Sequence, residues 1–150
     1  MTMRKFAKLG SLLTIGALAS LATTAAADQI NTSGTLCQNF NANQALDIDY
    51  LATGVRNINA ASRPVVCSIP RSPLPAGVNA TFDVDGSNAA GTTTPCTLFI
   101  YSFGGTILQT ASFNLPGTVA FAGVGTFDYA DVLCTLPGNA NGVLFGVTSR

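Results

Sequence analysis

The sequence predicts an all-β fold, an antiparallel β-sandwich of the immunoglobulin-like or jelly-roll-like kind, held by two disulfides. Three observations carry that expectation. Helix formers are scarce beyond the N-terminal segment, whereas Thr, Val, Phe, Gly, Asn and Pro abound, the balance of short strands joined by turns. Apolar residues recur with period two in several runs, the pattern of strands with one face on a core. Four cysteines follow an export-type leader, and an even number in that setting implies a disulfide framework.

The leader is MTMRKFAKLGSLLTIGALASLATTAAADQ. Arg4, Lys5 and Lys8 form its positive start, Leu9 to Ala22 its apolar stretch, and Ala25 to Ala27 a small-residue cleavage site. This is the three-part pattern of a secretory signal, cut after Ala27. The apolar stretch is short for a membrane span, and no Cys follows the cut to carry a lipid anchor. Residues 1–27 are therefore expected to be a signal peptide and 28–150 a single exported domain, secreted or periplasmic, with a polar and loose start over 28–34.

Within the domain, VNATFDVDG alternates cleanly. Val78, Ala80, Phe82 and Val84 point one way, while Asn79, Thr81, Asp83 and Asp85 point the other. In PCTLFIYSFGGTILQTASFN, Gly104-Gly105 supplies a hairpin turn between two strands. Leu98 and Ile100 alternate there with Phe99, Tyr101 and Phe103, which predicts a central strand covered on both faces. Ile107, Ala111 and Phe113 are the expected inward set of its partner, with Gln109 a polar exception. Val55–Asn59, Pro64–Ile69, Thr118–Ala122, Asp131–Leu136 and Gly142–Thr148 read as further strands. Asn43–Ala52 suits a helical turn or a strand equally.

Cys67 and Cys134 sit in near-identical phrases, VVCSIP and VLCTLP. Alternation puts Val65, Cys67 and Ile69 on one face, and Val132, Cys134 and Leu136 on one face, with Pro closing each strand. Zinc needs close Cys or His pairs and a redox site needs CxxC; neither spacing occurs. The order of an early Cys followed by C-[ST]-[IL]-P in each half favours Cys37–Cys67 and Cys96–Cys134, with Cys67–Cys134 and Cys37–Cys96 as the alternative.

Past the leader the chain has four arginines against seven aspartates, a net charge of −3, and no Lys, Glu or His. Such a surface does not neutralise a row of phosphates, so nucleic acid is not an expected partner, nor is a membrane once the signal is removed. The missing His and Lys remove the common general base, metal ligand and amine nucleophile. No catalytic residue and no cofactor is assigned. Asp47 with Asp49, Asp83 with Asp85, and Asp128 with Asp131 are the carboxylate pairs an Asp-dependent hydrolase would need, but neighbours on a strand are more often solvated surface. Asp83, Asp85 and Ser87 in DVDGSN match the opening of an EF-hand loop. Asn88 stands where that loop needs Gly, and Thr94 where it needs Glu, so the set is a weak calcium candidate beside the plainer reading, an Asp-Gly turn at a strand end. Arg56, Arg63 and Arg71 bracket the first Cys phrase and serve as edge charges or ligand contacts. Tyr50, Tyr101 and Tyr129 are stacking candidates for a sugar.

The phrases CQNF, DYLATGVRN, RPVVCSIPRS, FDVDGSN, PCTLFIYS, DVLCTLP and GVLFGVT resemble those of small exported bacterial proteins with four cysteines and C-P-I and C-x-L-P phrases. Ser68 departs from that pattern, which has Pro there. The resemblance implies a secreted bacterial setting and a β-rich fold, and no activity. The expected role is a non-catalytic structural, surface or binding module with a protein or glycan partner. A calcium- or carbohydrate-binding module and an Asp-dependent hydrolase are the alternatives.

Overall fold

Val78–Asn88, the run with the cleanest alternation, is the longest strand of the computed structural model, which describes residues 29–70 and 77–150. The leader with its cut at Ala27, and Arg71, lie outside the described residues. Two antiparallel sheets form the sandwich. The first holds, in spatial order, β3 (Ile48–Leu51), β4 (Gly54–Asn57), β11 (Gly142–Ser149), β6 (Val78–Asn88) and β9 (Gly117–Val124), with β1 (Ile30–Ser33) also on β11. The second holds β2 (Gln38–Asn39), β5 (Arg63–Ile69), β10 (Tyr129–Leu136), β7 (Pro95–Tyr101) and β8 (Ile107–Asn114).

The core is the alternate set from each inner face. Ala80, Phe82 and Val84 of β6, with Phe121 set edge-on to Phe82, meet Val65, Cys67, Leu98, Ile100, Val132 and Cys134 of the second sheet. The strand rule explains this, since side chains two apart share a face. Cys37, just before β2, is bonded to Cys67 of β5, and Cys96 of β7 to Cys134 of β10, with Cα atoms 4.2 and 4.1 Å apart. Cys96 and Cys134 are direct cross-strand partners.

Several details differ from the sequence expectation. The 28–34 start is not loose throughout, because Ile30–Ser33 pairs with Gly146–Ser149 and its backbone groups join a ladder. Asp85-Gly86 is no turn: β6 runs through it to Asn88, and Gly86 is required because a Cβ would strike Leu115 and the Val143 carbonyl. Ile107 faces outward. A register shift between Ile100 and Tyr101 sets Ile107 opposite Tyr101, while Ala111 and Phe113 keep the inward side. Gln109 is placed by its amide, which donates to the Ala122 carbonyl at 2.9 Å and ties β8 to β9 across the sheets. Asn43–Ala52 uses both of its options, a 3-10 turn over Ala42–Asp47 and then β3.

Polar side chains stitch the connections. Asn57 is fully buried; its amide donates to the carbonyls of Ala61 at 2.8 Å and of Leu136 and Pro137 at 3.2 Å, and its Oδ1 accepts from the Asn59 amide at 2.9 Å. Thr94, also fully buried, donates to Asn88, whose amide donates to the Leu115 carbonyl. Asp47 accepts from Arg63 Nε at 2.6 Å and from Asn59 at 2.9 Å. The Arg63 hydrogen bond, helped by Asn59, holds the Asp47 carboxyl below the usual carboxylate range, against a smaller upward push from desolvation.

The lowered value makes acid sensitivity a test. A carboxyl with a depressed folded-state pKa contributes stability above its unfolded value near 4, lost as pH falls through the folded value. Asp47→Asn should therefore narrow the gap in urea midpoint between about pH 6 and about pH 2.5. An unchanged gap would show that other carboxylates carry the acid response.

Candidate functional site

The two outer faces of the sandwich differ in chemistry. On the first sheet the outward rows are polar and paired: Arg56 with Asp49 at 2.8 Å, Asp83 with Arg150 at 3.1 Å and with Thr118 at 2.7 Å, and Thr148 with Asn31 at 2.7 Å. On the second sheet the outward row is aromatic.

Strand alternation builds that row. Leu98 and Ile100 point into the core, so Phe99 and Tyr101 point out and stack on each other with ring centroids 5.8 Å apart and planes 24° apart. The β10 residue opposite Tyr101 is Tyr129, and the one opposite Phe99 is Asp131, which in turn faces Ser68 on β5. Phe103, in the turn after β7, stacks on Tyr129 at 6.3 Å and 24°. Phe127 stands in the loop before β10. Phe103, Phe127 and Tyr129 are 77%, 76% and 54% exposed.

The expectation of a strand covered on both faces is thus corrected: β7 is buried on one face, and its second apolar face looks outward. Two shallow depressions flank Tyr129 and meet at Ile69 and Pro70. One, of about 370 Å³, adds Phe103, Thr126, Phe127 and Asp128 to its lining; the other, of about 390 Å³, adds Ser68 and Asp131. Rings, hydroxyls and carboxylates therefore alternate along one surface. Of the tyrosines singled out from sequence, Tyr101 and Tyr129 come together here, while Tyr50 lies on β3 in the other sheet.

The other sequence candidates are dispersed. Asp83, Asp85 and Ser87 share one face of extended β6. Asp83 already holds Arg150 and Thr118, and Asp85 accepts from the Gly86 amide. Among the described residues no group of three or more His, Cys, Asp or Glu is placed to hold a metal ion. Asp47 and Asp49 each face an arginine, Arg63 and Arg56, and Asp128 accepts from the Gly125 amide. Arg56 and Arg63 therefore brace the fold through these ion pairs.

The site residue that sequence reasoning missed is Phe127, together with the joint outward aim of Phe99 and Phe103. An aromatic run with apolar neighbours reads as buried, and only the sheet order reveals its open face. Among the described residues no helix is long and apolar enough to cross a membrane.

No protein-family model matches the chain, and no curated protein matches it. Among solved structures, the chain is similar to the Glycosylation Associate Protein (Gap123) complex from Streptococcus agalactiae, with a TM-score of 0.56 and 11% identity over 82% of this chain and 44% of that one. It is also similar to the C-terminal CBM6 of LamC, a marine laminarinase from Zobellia galactanivorans, with a TM-score of 0.50 and 14% identity over 82% of this chain and 99% of that module. The chain thus spans less than half of the first of these chains and nearly all of the second. At these identities the likeness is one of fold, and the fold is a β-sandwich.

Proposed function

We propose that the chain is an exported, non-catalytic glycan-binding module, with residues 28–150 forming one domain after cleavage at Ala27, and that the aromatic face of the second sheet is its binding surface. The carrying observation is the row of two ring stacks, the exposed Phe103 on Tyr129 and the half-buried Phe99 on Tyr101, with Asp131 and Ser68 alongside. Soluble monomers rarely leave a contiguous apolar patch open without a use for it. A pyranose offers an apolar C–H face to a ring and hydroxyls at its rim to carboxylates and other hydroxyls, so plates with polar neighbours suit it. The LamC module carries a carbohydrate-binding designation; a shared fold brings no ligand with it, so the reading rests on the aromatic row. Two disulfides fit an oxidising compartment, and the ion-paired carboxylates support a role without catalysis.

Affinity electrophoresis in gels cast with β-glucan, xylan, galactan or pectin tests the reading. Tyr129→Ala should weaken retardation at least about tenfold in apparent affinity, about 1.4 kcal/mol, with a melting temperature near that of the parent because Tyr129 is half exposed. Parent-like retardation of Tyr129→Ala, or no retardation of the parent in any gel, would sink it.

One observation favours a second reading, a subunit that assembles edge to edge. The outer strand β8, ILQTASFN, is an edge of its sheet and carries no charge, and such edges accept another strand. Light scattering of the purified chain decides: a strict monomer at high concentration removes this reading.

A further inference from the structure

We infer that the first sheet carries a second, smaller glycan contact centred on Phe145, so that one molecule bridges two glycan chains. This rests on the glycan reading and extends it to the opposite face of the sandwich.

The outer face of the first sheet is polar, and Phe145 is the aromatic that interrupts it. Its exposure follows from the backbone. β11 pairs with β6 along its length, but the register shifts between Leu144 and Gly146, leaving Phe145 as the bulged residue. On its other side β11 changes partner at the same point. Val143 and Leu144 face β4, while Gly146 onward faces β1.

The junction is closed by glycines. A Cβ on Gly34 or Gly54 would drive into the Leu144 carbonyl oxygen and the Phe145 backbone, and one on Gly146 would meet the Thr32 carbonyl. Two neighbouring backbones, the Thr32–Gly34 segment and Gly54, therefore approach the bulge as closely as side-chain-free residues allow, which fixes it. A bulge so held re-aims a side chain, here outward, in the way bulges do beside binding sites.

Around the ring lies a depression of about 390 Å³ whose lining includes Asp85, Ser33, Asn31 and Thr148. It combines one apolar plate with a carboxylate, hydroxyls and an amide, the same mixture as around Tyr129 but with a single ring. The one ring with its short polar rim fits a one- or two-sugar stretch of a neutral glycan. A neutral sugar also suits Asp85, whose charge would repel a uronate. Because two packed sheets turn their outer faces in opposite directions, Phe145 and Tyr129 cannot lie along one glycan strand. Two occupied sites then cross-link polymers.

Amide chemical-shift mapping of the labelled chain with cellobiose, xylobiose and maltose tests this, paired with turbidity of β-glucan and xylan solutions. With at least one of the disaccharides, shifts are expected at Asp85, Phe145 and Gly146 as well as around Tyr129. Phe145→Ala should abolish the first set, keep the second, and remove polysaccharide clouding while retaining gel retardation. Shifts confined to the Tyr129 region would overturn the second site and leave the proposed function standing. Shifts confined to the Phe145 region would support the second site and sink the first. An absence of shifts in both regions would overturn the second site, and retardation in the four gels then decides the first separately. The spectrum of Phe145→Ala itself reports whether the variant is folded, and the mapping on the parent chain needs no variant.

Discussion

Asn57→Ala is expected to lower the unfolding free energy by about 3–4 kcal/mol, the largest loss from any single polar substitution in this fold. The size follows from what the side chain satisfies. Its amide donates to three carbonyls, those of Ala61, Leu136 and Pro137, and its oxygen accepts from the Asn59 amide. Asn57 is itself fully buried and so is its bond to the Leu136 carbonyl, where a lost partner leaves a group without water to replace it, at about 1–3 kcal/mol; the bonds to Ala61, Pro137 and Asn59 are part-buried and add less each. The same residue also fixes its neighbours through the main chain, since its carbonyl accepts from the Ala140 amide at 2.7 Å. The effect therefore spreads over two connections, β4 to β5 and β10 to β11. Urea unfolding should show a lower midpoint at constant slope, the sign of altered stability in an unchanged fold.

Asn57→Asp separates hydrogen bonding from shape. It keeps the size and the acceptor but turns the donor into a carboxylate facing three carbonyl oxygens, so at neutral pH it should cost at least as much as the alanine variant. Protonation restores one donor, and the loss should shrink on acidification. If Asn57→Ala costs less than about 1 kcal/mol, the network is not what organises this end of the sandwich.

Why Asn57 escaped notice in the sequence is instructive. VRNINAAS reads as the end of a strand entering a turn, and asparagine is an ordinary turn residue. Nothing local says that Leu136 and Pro137, about eighty residues on, will lie within reach. The readable parts were those governed by local alternation. Ala80 to Val84, Val65 to Ile69 and Val132 to Leu136 present the inward set that period two assigns them, while Val78, at the strand's start, is only half-buried. The parts that failed depend on what lies across the sheet. Period two cannot tell an outward aromatic row from one beneath a second layer, so Phe99 and Tyr101 looked covered. The bulges that turn Ile107 and Phe145 outward depend on the register of partners that only folding brings alongside. The aromatic site was therefore present in the sequence as residues, and absent as a surface.

Replacing either disulfide pair by alanines should cost several kcal/mol, and the two losses should look different. Chain entropy hardly separates them. The bridges span 30 and 38 residues, and loop closure then assigns each about 3.5–4 kcal/mol, with a difference of only about 0.2 kcal/mol. The folded structure decides the rest. Cys96–Cys134 joins β7 to β10, which pair from Tyr101 opposite Tyr129 down to the cysteines themselves and are flanked by β8 and β5. With the bridge gone that ladder still holds, so the loss should be global, with amide exchange speeding up evenly in every slow-exchanging strand. Cys37–Cys67 instead anchors the chain just after it leaves β1, in the first sheet, and enters the second. There β2 is two residues long, pairs with β5, and is continued by one bond from the Phe40 amide to the Pro64 carbonyl. So few contacts cannot hold the segment once the covalent tie is cut. Cys37→Ala with Cys67→Ala should open residues 37–47 at a free energy far below that of global unfolding, visible as fast exchange confined to that stretch. The local opening would also release the Asp47–Arg63 contact and so reduce the acid sensitivity assigned to it. Uniform acceleration in both variants would show that the edge segment folds and unfolds with the whole sandwich, and that the bridge acts there on the unfolded chain alone.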